Sequence, residues 1–196
     1  MSKFIYVELS QANVSQNVLH SFDCKHSDFN DFLHNDALNF SADGNGVTYI
    51  LVDEKEYQEN NISVIFAFAT IQTASLHYHE DKTKRLCSIS CAEIKYFAIT
   101  RRLQKQVAYT IDENKHYSTI FFEYFLQELY ELSTKCIGFQ AIFLRANENG
   151  ENLYRRKKFI DASSYIVPYT EDDPNEKCIS MILNISSNMY NIFGIE

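Results

Sequence analysis

The stretch from Phe143 to Phe159, FLRANENGENLYRRKKF, does most to constrain the fold, because it carries an apolar strand straight into a short capped helix. The β-prone run Ala141 to Leu144 ends just before Asn147, a residue suited to cap a helix. Glu148 and Glu151 follow where the helix dipole favours negative charge, and Arg155, Arg156, Lys157 and Lys158 close the helix where cations are favoured. Such a joint turns the one tyrosine of the helix, Tyr154, toward the end of its own strand. There a phenol either stands over a reaction centre or packs, half-buried, between helix and sheet.

The rest of the chain can supply one sheet and its covering helices. At 196 residues with 45% apolar content it can bury most of its unfolded surface in one core, so residues 1–184 are expected as a single domain. Residues 185–196 are a C-terminal tail without an assigned element. Only 5 Gly and 2 Pro occur, with no proline before Pro168, which leaves no linker composition in most of the chain. Phe4 to Leu9 alternates as a first strand, and Ser27 caps a helix over about Asp28 to Phe40, where Phe29, Phe32, Leu33, Ala37 and Phe40 recur at helical spacing. Val47 to Val52 and Ser63 to Gln72 read as antiparallel strands around the polar loop DEKEYQENN. Ala74 to Ser90 has no helical period, Ala92 to Ile99 is a fourth strand, and Ser118 to Leu132 is an amphipathic helix. Phe159 to Val167 and Lys177 to Asn184 complete the set as two strands around EDDPNE.

Two motifs resemble one family. Asn147, Gly150, Leu153, Tyr154 and Phe159 stand at the offsets of the last conserved block of the GNAT superfamily of N-acetyltransferases, with Lys158 in place of its glycine. Phe22, Asp23, Cys24, Asn30, Phe32 and Leu33 are similar to the opening of the subgroup that includes bacterial toxin acetyltransferases. The resemblance implies an α/β sandwich with a mixed, mostly antiparallel sheet of six to seven strands flanked by helices. It implies acetyl-CoA as cosubstrate, held by the backbone of the fourth strand at Phe97 and Ile99. Tyr154 would then be the acid that protonates the departing thiolate, and Asn147 would lie beside the cofactor. ITRRLQ, residues 99–104, is similar to the approach to the family's pyrophosphate loop, but the glycines that follow in that family are absent here. Either the phosphates meet the helix N-terminus at Ser118 and Thr119, with Arg102, Lys115 or His116 supplying charge, or acetyl-CoA binding has been lost and the chain is a non-catalytic binding module.

A general base must take a proton from the attacking ammonium, and Glu93 on the fourth strand is the candidate; the other reading is an exposed Glu93 and Lys95 pair. His77, His79, Cys87 and Cys91 fit no standard zinc spacing, and the segment around HEDKTKR is expected to be a polar connection without metal. Five scattered cysteines suit reduced thiols, and with no apolar leader and no run long enough to span a bilayer, a soluble cytoplasmic protein without a membrane partner is expected. A net charge of −8 disfavours nucleic acid and favours an amine-bearing small molecule, peptide or protein as acceptor. The toxin-like opening points instead to the aminoacyl group of a charged tRNA, which three local basic clusters, Lys82 to Arg85, Arg101 to Lys105 and Arg155 to Lys158, would assist. The sequence is compatible with a monomer or a homodimer.

Overall fold

A computed structural model describes residues 3–79, 85–163 and 178–185, with the side chains of Tyr78 and His79 left aside. Seven strands form the main sheet in the order β1-β2-β3-β4-β7-β9-β8. These are β1 (Phe4–Glu8), β2 (Val47–Asp53), β3 (Ala67–His79), β4 (Leu86–Ile99), β7 (Ala141–Ala146), β8 (Ile160–Asp161) and β9 (Ile179–Asn184), and a separate hairpin joins β5 (Val107–Ala108) to β6 (Asp112–His116). β4 and β7 run parallel, whereas β1–β2, β2–β3, β7–β9 and β8–β9 are antiparallel. The mixed, mostly antiparallel architecture expected from the sequence is present.

The chain divides into two compact units, residues 1–72 with 96–128, and residues 73–95 with 129–196. In the first, alternation along the strands sends apolar side chains to both sheet faces. Val7, Leu9, Ile50, Val52, Phe68 and Ala98 pack with Leu19, Phe22, Phe32, Leu33 and Ala37 of the early helices. Tyr6 lies against Phe125, Phe4 against Phe121 and Phe97 against Phe122, all three partners belonging to helix α5 (Tyr117–Lys135). Thr48 and Thr70, buried and directly opposite on β2 and β3, satisfy one another by a 2.9 Å hydrogen bond.

The expected first helix is subdivided. Ser27 does not cap it; His26 occupies the cap position, and α2 (Ser27–Asp31), a wide π turn (Phe32–Asp36) and α3 (Ala37–Ala42) follow in unbroken succession. The extra residue in the π turn brings Phe32 and Leu33 into the core while the His34 ring meets the Phe22 carbonyl at 2.9 Å. Two short helices escaped the periodicity argument, α1 (Gln16–His20), capped by Ser15, and α4 (Glu54–Gln58), capped by Asp53 within the stretch read as loop.

In the second unit, β3 runs into the Ala74 to Ser90 region as far as His79 and β4 starts within it at Leu86, while most of the HEDKTKR segment, expected as a polar connection, lies outside the described residues. Their ends carry Leu76 and Cys91, which cluster with Ala141 and Phe143, and burial pushes the Cys91 thiol up to about 11. Much of the expected strand Phe159 to Val167 falls outside the described residues; β8 is its described part. No helix among the described residues is long and apolar enough to cross a membrane.

Candidate active site

Tyr154 is held by its own strand and helix. β7 ends at Ala146, and Asn147 then closes a turn, its carbonyl accepting from the Gly150 and Glu151 amides at 3.0 and 3.1 Å. The Asn147 side-chain oxygen also accepts from the Gly150 N–H at 3.0 Å. Helix α6 (Glu151–Arg156) thus has Gly150, rather than Asn147, at its cap position, and Asn147 organises the turn before it. This leaves the Asn147 side-chain NH2 as the group a cofactor could meet.

The end of α6 is a Schellman closure. The Phe159 N–H bonds the Tyr154 carbonyl at 3.2 Å and the Lys158 N–H bonds the Arg155 carbonyl at 3.1 Å. Lys158 sits at φ 68°, the left-handed conformation that glycine favours, so the side chain has changed but the backbone has not. The Phe159 ring, buried, lies 5.9 Å from the Tyr154 ring, the apolar contact that accompanies such closures. Burial pushes the Tyr154 phenol well above its ordinary value, and nearby Cys178 adds a smaller push in the same direction. The phenol therefore keeps its proton throughout the physiological range.

Glu93 faces the same unit. It pairs in register with Phe143 on β7, is only 8% exposed, and lies 3.9 Å from the Arg145 Nε. Glu93 is buried, not exposed as the alternative reading beside Lys95 requires. Arg145 also stands 6.0 Å from the Phe143 ring centroid. Sequence reasoning passed over Arg145; the signal was a single charge inside an otherwise apolar strand, two residues before the Asn147 turn. Among the described residues no group of His, Cys, Asp and Glu is arranged to hold a metal ion.

The other expected cofactor residues lie in the first unit. The β4–β7 ladder stops at Ile94 opposite Leu144, and β4 runs on to Ile99 without a β7 partner. Phe97 packs its ring on Phe122, and the Ile99 carbonyl accepts from the Gln104 side-chain amide at 3.2 Å. The same Gln104 amide reaches the Cys24 carbonyl at 2.9 Å, so the Phe22-Asp23-Cys24 motif and the end of β4 share one network. Asp23 extends it: its side chain accepts from the Lys25 N–H at 2.7 Å and the Asn30 amide at 3.2 Å, and its carbonyl accepts from the Arg101 N–H at 2.7 Å. The Lys25 N–H foremost, then Asn30, hold the Asp23 carboxyl below its ordinary value. The toxin-like opening motif is thus a brace for residues 99–104.

Beyond Gln104 the glycine-free stretch forms the β5–β6 hairpin, which runs directly into α5. Lys105 stands at φ 60°, a second lysine in a conformation favoured by glycine. α5 opens at Tyr117, one residue before the expected Ser118, and the Tyr117 N–H bonds the Gln106 carbonyl at 3.1 Å. The amides of Ser118 and Thr119 lie in the first turn of α5, where a helix has no backbone acceptor of its own to offer. Arg102 is exposed, whereas Lys115 is committed to Glu123 at 3.1 Å and sits 3.9 Å from Asp112. His116 is exposed on β6.

No family model and no curated protein matches the sequence. Solved structures match over nearly the whole chain. A tyrosine-to-phenylalanine mutant of the AtaT toxin, bound to the C-terminus of the antitoxin AtaR and acetyl-CoA, is 17% identical over 97% of this chain and 98% of its own, with a TM-score of 0.66. AtaT complexed with acetyl-methionyl-tRNAfMet is 16% identical over 93% and 95%, with a TM-score of 0.63. The toxin in the KacTA–DNA complex is 17% identical over 99% and 100%, with a TM-score of 0.62.

The fold is that of the GNAT toxins. A GNAT fold accounts for a parallel β4–β7 contact within an otherwise antiparallel sheet, a long helix following β4, and a short helix after β7. Lys105 and Lys158 both stand in the left-handed conformation, and the β5–β6 hairpin immediately precedes α5.

Proposed function

We propose that the protein is an acetyl-CoA-dependent N-acetyltransferase whose acceptor is the α-amino group of an aminoacyl-tRNA. The observation that carries this reading is the buried phenol of Tyr154 on α6, raised so that it keeps its proton, with the Asn147 turn before the helix and the Lys158 closure after it. A proton donor needs a proton present at working pH and a fixed place, and Tyr154 has both. Acetyl-CoA would supply the acetyl group activated as a thioester.

The first-turn amides of α5 at Ser118 and Thr119, with exposed Arg102, are suited to its phosphates even without a glycine cradle. The β4 backbone around Phe97 and Ile99, beyond the end of the β4–β7 ladder, would hold the extended arm. Glu93 is the base, and Arg145 beside it offsets the cost of keeping a carboxylate charged in a nearly dry position. In the overall transfer a C–N bond would replace the C–S bond: Glu93 would take one proton from the ammonium before attack, the second proton lost from the nitrogen would pass to solvent, and Tyr154 would give its proton to the departing sulfur. Exchange with solvent restores both residues. A phenol raised by burial gives up its proton to a thiolate only if the thiolate is also poorly solvated, since the same desolvation makes the sulfur more basic.

The tRNA acceptor is proposed from the AtaT complex with acetyl-methionyl-tRNA, and a dedicated protein antitoxin from the AtaR complex. The net charge of −8 argues for a small amine instead, and one experiment separates the two. With radiolabelled acetyl-CoA, label is expected on charged but not uncharged tRNA and should fall steeply with salt. Label on polyamines or peptides alone would replace the acceptor, and label on nothing would end the catalytic reading.

A further inference from the structure

Gly150 occupies a backbone conformation open to any residue, with φ −92° and ψ −26°. No turn requirement explains a glycine there, but its missing side chain does. A β-carbon built on Gly150 would stand 2.7 Å from the Cε2 of Tyr154, 3.2 Å from its Cζ and 3.3 Å from its hydroxyl oxygen. Side chains on a helix lean back toward its N-terminus and over the residue four positions earlier, which brings the Tyr154 ring down onto Gly150.

We propose that Gly150 is a positioning residue for Tyr154: the space left by its absent β-carbon is the seat of the ring and fixes where the phenol oxygen stands. This inference rests on the reading of Tyr154 as proton donor. The seat itself is rigid. The Gly150 N–H is held by both oxygens of Asn147 at 3.0 Å, and the Gly150 carbonyl accepts from the Leu153 and Tyr154 amides at 2.9 and 3.2 Å. A β-carbon therefore cannot be accommodated by moving the glycine, and the ring must move. Ordinary carbon contact is about 3.5 Å, so the ring edge would retreat by about 0.8 Å, with buried Phe159 already against it. A displacement of about 1 Å at a reacting group costs on the order of 10²-fold in rate, while cofactor binding, which does not use the ring's exact place, is spared.

Asn147 belongs to the same device, because its side chain fixes the residue on which the ring rests. The functional consequence is that the loop carrying no catalytic group sets the geometry of the group that does.

The test compares Gly150→Ala, Tyr154→Phe and the double variant, with exposed Asn152→Ala as control, in acetyl transfer from acetyl-CoA to methionyl-tRNA. Gly150→Ala should lower kcat by 10- to 100-fold, leave the KM for acetyl-CoA within about threefold and leave Tm unchanged, on the scale of rate lost to a misplaced group. In the Tyr154→Phe background it should lower kcat by less than about twofold, because the positioned group is already gone. An acceptor-independent readout accompanies it: the 19F signal of 3-fluorotyrosine at position 154, assigned by its loss in Tyr154→Phe, should move in Gly150→Ala and not in Asn152→Ala. An unmoved signal, full activity, losses that multiply in the double variant, or a fallen Tm would each overturn the inference. A fully active Tyr154→Phe would instead overturn the proton-donor reading, whatever the fluorine signal does.

Discussion

Replacing Lys158 with glycine should leave stability near that of the parent although it removes a charge from a helix end, whereas alanine at the same position should destabilise. Lys158 follows α6 at φ 68°, a conformation that costs a residue with a β-carbon about 1–2 kcal/mol. Glycine escapes that cost but gives back about 0.5–1 kcal/mol through the greater freedom of the unfolded chain. Loss of a cation at a helix C-terminus takes a further 0.3–1 kcal/mol, roughly, at an exposed site. Lys158→Ala isolates that last contribution, because alanine keeps the β-carbon and loses the charge. The comparison of glycine with alanine at this position should therefore favour glycine by about 1 kcal/mol, a Tm difference of about 2–4 °C in a chain of this size. Differential scanning calorimetry of the three proteins at one pH and salt measures it. Equal Tm values for the glycine and alanine variants would refute the argument that Lys158 keeps a glycine backbone, and with it the Schellman closure that holds Tyr154.

Three further outcomes follow from the site. Tyr154→Phe should reduce turnover by about 10²- to 10⁴-fold while acetyl-CoA affinity, read by calorimetric titration, changes little. Arg102→Ala should raise the KM for acetyl-CoA several-fold, with a salt dependence weaker than that of the parent, whereas Lys115→Ala should change it far less because Lys115 already serves Glu123. Asp23, held below its ordinary value, contributes stability that is present above about pH 4 and lost as pH falls through its folded value; Tm of Asp23→Asn should therefore fall less than that of the parent between pH 5 and pH 3, on the order of the range in which carboxylates titrate.

The elements that the sequence made legible are those with one dominant local signal. The apolar stripe of Phe121, Phe122, Phe125 and Leu126 marks α5, and the run Ala141 to Leu144 with its Asn147 turn marks β7 and the approach to α6. Legibility fails where tertiary pairing outweighs the local pattern. Thr73, Ser75, His77, Ser88 and Ser90 are exposed, so the outer halves of β3 and β4 lack an obvious apolar run, yet pairing within the sheet extends both strands. The π turn at Phe32–Asp36 is hidden in a sequence whose spacing suits an ordinary helix. Within the site, Tyr154 and Glu93 could be singled out by residue type, but Arg145 gains meaning only through the β4–β7 register, and Gly150 only through the tyrosine that rests on it. Nor does the lack of glycine reveal the backbone, since Lys105 and Lys158 both adopt the left-handed conformation.

The central claim is that this chain still takes acetyl-CoA at the start of α5 without a glycine loop. Thermal unfolding of the whole protein with increasing acetyl-CoA tests it directly and needs no acceptor. The account predicts stabilisation of about 2.7 kcal/mol when free cofactor reaches a hundredfold excess over its dissociation constant, which for a chain of this size is a Tm rise of about 5–10 °C. No rise at millimolar acetyl-CoA would contradict it and leave a GNAT scaffold serving as a binding module.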